Sequence, residues 1–180
     1  MIIVEGPDGA GKTTLINTLV PWLNEVFKEP WELAPRVVQK DTTTKVDLVT
    51  WTDDNLARGF HNTVYDRYRL FSDPIYRTAL GKAMWGTSLY DLNWLTDAWD
   101  TLLESCNPII IYCLPPFERV QDNVMRDDDN LVVRRAIDQI YHGYVAQCAM
   151  LSARYPVVVY DYTDPASLED CLNYITLDLQ

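Results

Sequence analysis

MIIVEGPDGAGKTT (residues 1–14) carries an apolar run directly into a glycine-rich stretch that ends in a lysine and two threonines. Gly6-Pro7-Asp8-Gly9-Ala10-Gly11-Lys12-Thr13 fits the pattern G-x-x-x-x-G-K-[ST] without a mismatch. The pattern also sits where its physics requires, after a strand-like run and before a helical one. Leu15, Leu19, Trp22, Leu23 and Val26 recur at helical spacing behind it. Glycines let backbone N–H groups curl around an anion, and the N-terminus of the following helix adds partial positive charge. The expectation is a phosphate cradle for ATP formed by Gly6, Gly9, Ala10, Gly11, Lys12, Thr13 and Thr14. Lys12 would reach the β- and γ-phosphates, and Thr13 would be a Mg²⁺ ligand.

Outward from this stretch, five β-prone runs punctuate the chain: residues 1–4, 36–40, 63–65, 108–114 and 156–160. Helical patterns lie between them. Leu89, Leu92, Leu95, Trp99 and Leu102 form one apolar stripe, with Trp94 and Trp99 read as helix packing. Phe117, Val120 and Val124 follow Pro115-Pro116, residues that suit a helix start. A long pattern runs from Leu131 to about Arg154, and Asp164-Pro165 reads as the cap and first turn of a last helix. Mostly continuous apolar strands alternating with helices predict a parallel sheet covered on both faces, a three-layer α/β fold with five parallel strands.

At 180 residues, the chain is expected to form a single domain, residues 1–180, with one core. Its 48% apolar and 23% charged residues suit a soluble globular protein, and no apolar run approaches the ~20 residues of a membrane span. The N-terminal apolar run is also too short for a signal peptide. The four cysteines lie far apart without a CxxC pair, so a reducing cytoplasm is expected, with Cys113 a buried apolar residue. The net charge of −11, from 26 acidic and 15 basic side chains, is a poor footprint for non-specific nucleic-acid binding. It leaves room for a local basic strip from Arg36, Lys40, Lys45, Arg58, Arg67, Arg69, Arg77 and Lys82. His61 and His142 have no partner by spacing.

A second segment, VYDRYRLFSDPIYRTALG (residues 64–81), follows the third strand. Asp66 and Arg67 fall at the carboxyl end of that strand, where α/β sheets place their ligands. A third, RVQDNVMRDDDNLVVRR (residues 119–135), is rich in arginine and aspartate. EGPDGAGKTT together with Asp66-Arg67-Tyr68, Ser72 and Tyr76 closely resembles the thymidylate kinase family, whose P-loop kinase fold the chain is expected to share. By that resemblance Asp8 contacts the acceptor's sugar, and Arg67 holds an acceptor or transferring phosphoryl group. Asp66 lies near Mg²⁺ or the attacking oxygen, and Tyr76 packs against the acceptor sugar. The third segment resembles the family's arginine-bearing lid, at about residues 126–135. The transition-state cation would come from Arg126, Arg134 or Arg135, in that order, with Arg134 also on the nucleotide side. Asp127, Asp128 and Asp129 would cap the next helix or restrain the open lid, or form a solvated acidic loop. Tyr144 and residues 157–165 resemble the family's final helix, strand and adenine-side loop.

The resemblance breaks on the acceptor side. No Arg-Glu-Pro-Gly-Gly motif follows the second strand-like run, and Glu29-Pro30 precedes it. The stretch between the glycine loop and Asp66 is short for the family. Asp73 stands where the family has a small or amide residue that helps read thymine. SDPIY (residues 72–76) is similar to a bacteriophage subgroup that phosphorylates the hydroxymethyl group of 5-hydroxymethyluracil within DNA. That subgroup implies transfer of the ATP γ-phosphate to an alcohol in DNA, with Asp66 as base and aromatics such as Tyr65, Tyr68, Phe71 and Tyr76 available to stack an extruded base. Tyr65, which ends a strand, is expected to join the core with at least one of the others. Three readings result. The lead is the DNA-base kinase, and the alternative is a deoxynucleoside monophosphate kinase acting on thymidylate or an analogue. The third is a nucleotide-binding protein without turnover. Association as a homodimer is left open.

Overall fold

All four residues of the first strand, β1 (Ile2–Glu5), are buried, as expected of a strand covered on both faces. The computed structural model describes residues 1–34, 62–81, 92–126 and 131–180. After β1 come α1 (Lys12–Phe27), β2 (Glu32–Leu33), β3 (Thr63–Asp66), α2 (Arg69–Ala79), α3 (Leu92–Cys106), β4 (Ile109–Cys113), α4 (Phe117–Arg126), α5 (Leu131–Ser152), β5 (Val157–Tyr160) and α6 (Pro165–Leu179).

The five strands form one sheet in the order β2-β3-β1-β4-β5, with every pairing parallel. Helices flank it, which gives the three-layer α/β fold. Helix α1 packs on β1 and β3 through Leu15, Leu19 and Leu23, while α6 packs on β4 and β5. Helix α5 carries α2 and α4. At the start of α6 the Asp164 carboxylate accepts the Ala166 N–H at 2.9 Å, and Pro165 occupies the first turn, as the sequence predicts.

One expected strand, residues 36–40, is not among the described residues. The strand beside β3 is the two-residue β2, whose side chains are exposed. A short edge strand needs no apolar run, so apolar patterning passes over it. The Asn24 side chain fixes its approach by accepting the Trp31 N–H at 2.7 Å and donating to the Trp31 carbonyl at 3.1 Å.

Register positions the site. Val4 lies opposite Asp66 and Ile111, so the chain leaves β1, β3 and β4 at one edge of the sheet. Helix α2 is fixed over that edge by buried polar links. Trp99 Nε1 donates to the Leu70 carbonyl, and Gln147 joins Tyr112 Oη to the Phe71 carbonyl. Trp99 stacks on Phe71, so its packing role is as expected. Cys113 is likewise buried.

Candidate active site

The glycine loop turns at the C-terminal edge of β1. Gly6, at φ +141, passes so close to β4 that a Cβ there would lie 2.5 Å from the Cys113 carbonyl oxygen. Gly11, at φ +83, is the left-handed residue that starts α1, and a Cβ on it would lie 2.8 Å from the Tyr162 ring. No side chain caps α1 and its first turn holds no acidic residue, so its leading amides are available to an anion. Ala10 is fully buried behind the loop, while Thr13 and Thr14 are exposed on the first turn.

Lys12 is only 7% exposed, and its ammonium donates to the Pro7 carbonyl at 2.6 Å across the loop. Burial, and then the Arg67 charge, push its pKa down to about 8. A γ-phosphate beside it would replace the carbonyl as partner and restore the full charge.

Arg67 follows β3 in the left-handed region, at φ +66. That turn directs its guanidinium onto the glycine loop. Its Nε donates to the Gly6 carbonyl at 3.2 Å, and its NH2 donates to Asp8 Oδ1 and Tyr76 Oη, both at 2.7 Å. Tyr76 Oη in turn donates to Asp8 Oδ2 at 2.8 Å. The guanidinium also lies 5.0 Å from the centre of the Tyr76 ring. Burial raises the Asp8 carboxyl, but the Arg67 charge and the bonds from Arg67 and Tyr76 outweigh it and hold Asp8 below its ordinary range. Burial also opposes the Arg67 charge, yet Tyr144, Tyr76 and Asp8 hold its pKa well above the ordinary value. Asp8, Arg67 and Tyr76 thus form a closed triangle beside the phosphate cradle.

The other residues singled out from sequence are arranged differently. Ser72 is buried and donates back to the Tyr68 carbonyl, and Asp73 is paired with Arg69 one turn away. Tyr65, Tyr68 and Phe71 are core residues, which leaves Tyr76 as the aromatic of that set beside the loop. Arg126 is exposed at the end of α4, and Arg134 Nε donates to the Val124 carbonyl, tying α5 to α4. Arg135 is exposed on α5. Asp127, Asp128 and Asp129, within the lid expected at residues 126–135, lie outside the described residues, as does His61. His142 is exposed near Asp138.

Two features of this region carry no motif. Asn123 on α4 donates to the Gly9 carbonyl and to Tyr162 Oη, both at 2.9 Å, bracing the loop from α4. A cleft of about 400 Å³ opens beside this brace, lined by Arg119, Asp122, Asn123, Arg126, Tyr162 and Thr163. Its size suits one small ligand. Glu5 belongs to no motif either, although a charged residue ending an apolar strand is a signal in itself.

Mg²⁺, which a cradle of this kind implies, finds suitable oxygen donors. Asp66 Oδ1 is buried without a hydrogen-bond partner among the described residues, and the Thr13 hydroxyl is exposed. No group of three or more His, Cys, Asp or Glu able to hold a metal occurs among the described residues.

Solved structures share the fold that carries this site. A deoxyadenosine kinase from M. mycoides with dCMP and a flexible dCDP bound is similar at a TM-score of 0.63 and 18% identity, covering 97% of this chain and 98% of that chain. The YorR protein of Bacillus subtilis, in complex with phosphorylated GDP, is similar at a TM-score of 0.63 and 18% identity, covering 98% and 96%. The M. mycoides enzyme with bound dATP gives a TM-score of 0.62 at 18% identity, covering 97% and 98%. The chain has the P-loop nucleoside-kinase fold. No protein-family model matches it, and no curated protein does. No helix among the described residues is long and apolar enough to cross a membrane.

Proposed function

We propose that the chain is an ATP-dependent kinase that transfers the γ-phosphoryl group to a free deoxynucleoside monophosphate. The observation that carries this reading is the Asp8–Arg67–Tyr76 triangle set against the glycine loop. It combines a carboxylate and a phenol that can bond a sugar hydroxyl with a guanidinium that can hold a phosphate. The fold shared with nucleotide-bound kinases supports the kinase part of this reading.

Phosphoryl transfer needs positioning and charge neutralisation more than covalent chemistry. The loop amides and Lys12 hold the donor phosphates, and the cleft beside Arg119, Arg126 and Tyr162 takes the donor base. When bound, Mg²⁺ supplies neutralising charge to the phosphates, held by Thr13 and by Asp66 through its free oxygen. Arg67 orients the acceptor phosphate in line, and Asp8 with Tyr76 holds the sugar. A phosphate acceptor has no proton that must be removed, so no base is required. Arg126 supplies the lid-side cation, and residues 1–180 act as one domain.

Of the basic strip, Arg36, Lys40, Lys45, Arg58 and Lys82 lie outside the described residues, and Arg69 is held by Asp73. The DNA reading has weaker support on charge. The acidic balance also favours a small acceptor over a polyanion. Labelled ATP with Mg²⁺, offered with deoxynucleosides, their monophosphates and hydroxymethyluracil-containing duplex DNA, tests the choice. Label in a deoxynucleoside diphosphate is expected. Label only in DNA or only in a nucleoside would replace the acceptor, and ATP binding without any transfer would leave a nucleotide-binding protein.

A further inference from the structure

Glu5 takes no part in the transfer described above, yet it is fully buried at the end of β1, directly before the glycine loop. A buried carboxyl is costly unless it satisfies something, and Glu5 does. Its Oε1 accepts the Tyr68 N–H at 2.6 Å, while Oε2 has no hydrogen-bond partner among the described residues. Tyr68 follows Arg67 and is the N-cap of α2, and its own side chain makes no capping bond.

The bond matters because of what precedes it. Arg67 has φ +66, a conformation that costs a side-chain-bearing residue free energy and persists only where its surroundings impose it. Two consecutive residues of β1 impose it here. Ahead of the turn, the Arg67 N–H donates to the Val4 carbonyl at 2.9 Å. Behind it, the Tyr68 N–H donates to Glu5. The left-handed residue is clamped on both sides, and its side chain is thrown back over Gly6 and Asp8.

We propose that Glu5 is a positioning residue for the acceptor side, its bond to the Tyr68 N–H holding the turn that aims Arg67 at Asp8 and Tyr76. Burial pushes the Glu5 carboxyl up to about 8, so at neutral pH it accepts this bond without setting a second anion beside the Asp8–Arg67 pair. A glutamine would serve as well, because its carbonyl oxygen can accept the same N–H. A methionine of similar length would remove this bond to the Tyr68 N–H.

The kinetic part of the test rests on the kinase reading, and the structural part does not. Glu5→Met is expected to lower kcat/KM for the acceptor by about tenfold or more, while the ATP KM stays within about threefold. Glu5→Gln should recover most of that loss. In an Arg67→Ala background Glu5→Met should cost nothing further. Crystal structures should keep the left-handed Arg67 in Glu5→Gln and lose its contact with Asp8 in Glu5→Met. In the unaltered protein, amide exchange at Tyr68 should be as slow as in the core strands. Fast exchange at Tyr68, an Arg67 still bonded to Asp8 in Glu5→Met, or losses that add to those of Arg67→Ala would each overturn the proposal. If the unaltered protein phosphorylates no acceptor, the kinase reading falls, and the crystal structures and exchange still decide the role of Glu5.

Discussion

The phosphate cradle and the acceptor triangle meet at Asp8, yet they are built in opposite ways. The cradle is local. Its residues are contiguous, its conformation is set by glycines, and its binding groups are mainly backbone amides at one helix start. The triangle joins residues 59 and 68 positions apart and exists only because β1 and β3 are in register and α2 is fixed above them. A local device survives as a motif, whereas a tertiary one depends on every contact that places its parts. On the proposed reading, donor binding is therefore the stable half of the site, and acceptor binding is the half that small packing changes can retune.

The largest effect should come from the cradle. Lys12→Ala removes the one side-chain cation that the loop contributes, from a position only 7% exposed. The rate of transfer should fall by about 100-fold to 1,000-fold for any acceptor, as when a preorganised transition-state donor is lost. Steady-state kinetics with two different acceptors checks this. Unequal losses would mean that Lys12 also reads the acceptor, and the division between the two halves would fail.

Arg67→Ala is the matching test of the triangle. It removes three hydrogen bonds and leaves Asp8 without its countercharge. A loss of about 100-fold in kcat/KM for the acceptor is expected, with ATP affinity changed by less than about threefold. Calorimetric titration of ATP beside the kinetics separates the two quantities. A large loss of ATP affinity would show that Arg67 serves the donor as well.

A change of pH should act mainly on the cradle. A lysine whose pKa is lowered to about 8 loses its charge as pH rises through that value, well before an ordinary lysine does. The charged fraction then falls about tenfold between pH 7 and 9, and ATP affinity should weaken by about the same factor. Binding titrations across that range test it, with Lys12→Ala as control, in which the dependence should shrink to what ionisation of Glu5, also raised to about 8, contributes. A flat profile in the unaltered protein would mean that Lys12 stays charged despite its burial.

What the sequence made legible follows the same division. The cradle could be read directly, because nine residues in a row specify both conformation and chemistry. Asp8, Arg67 and Tyr76 could each be named, but nothing in their spacing says that they bond one another. Ser72 shows why position on a segment is not enough. It lies four residues after Tyr68, where the first turn of α2 offers a backbone carbonyl, and its hydroxyl takes that local partner. Tyr65, Tyr68 and Phe71 share the segment with Tyr76, yet strand alternation and helix packing send all three into the core. The edge strand β2 escaped because Glu32 and Leu33 carry no apolar pattern, and its place depends on the Asn24 clasp around Trp31. Glu5 escaped because its role is to satisfy an amide 63 positions away.

The smallest effect is the sharpest probe of the division. Tyr76→Phe keeps the ring beside Arg67 and deletes only the hydroxyl that bridges Arg67 to Asp8. The Arg67–Asp8 ion pair remains, so losing the two hydrogen bonds of the hydroxyl should cost about 1 kcal/mol, at about 0.5 kcal/mol for each partly exposed bond. That corresponds to about a fivefold rise in acceptor KM, with ATP affinity and the rate at saturating acceptor nearly unchanged. Because burial raises the Tyr76 phenol above its ordinary range, the hydroxyl remains a donor throughout the neutral and mildly alkaline range. The ratio of the two KM values should therefore hold steady between pH 6 and 9, while Lys12 shifts ATP affinity in both proteins alike. A ratio that tracked the titration of Lys12 would mean that the two halves are one coupled network, joined through the carboxylate they share at Asp8.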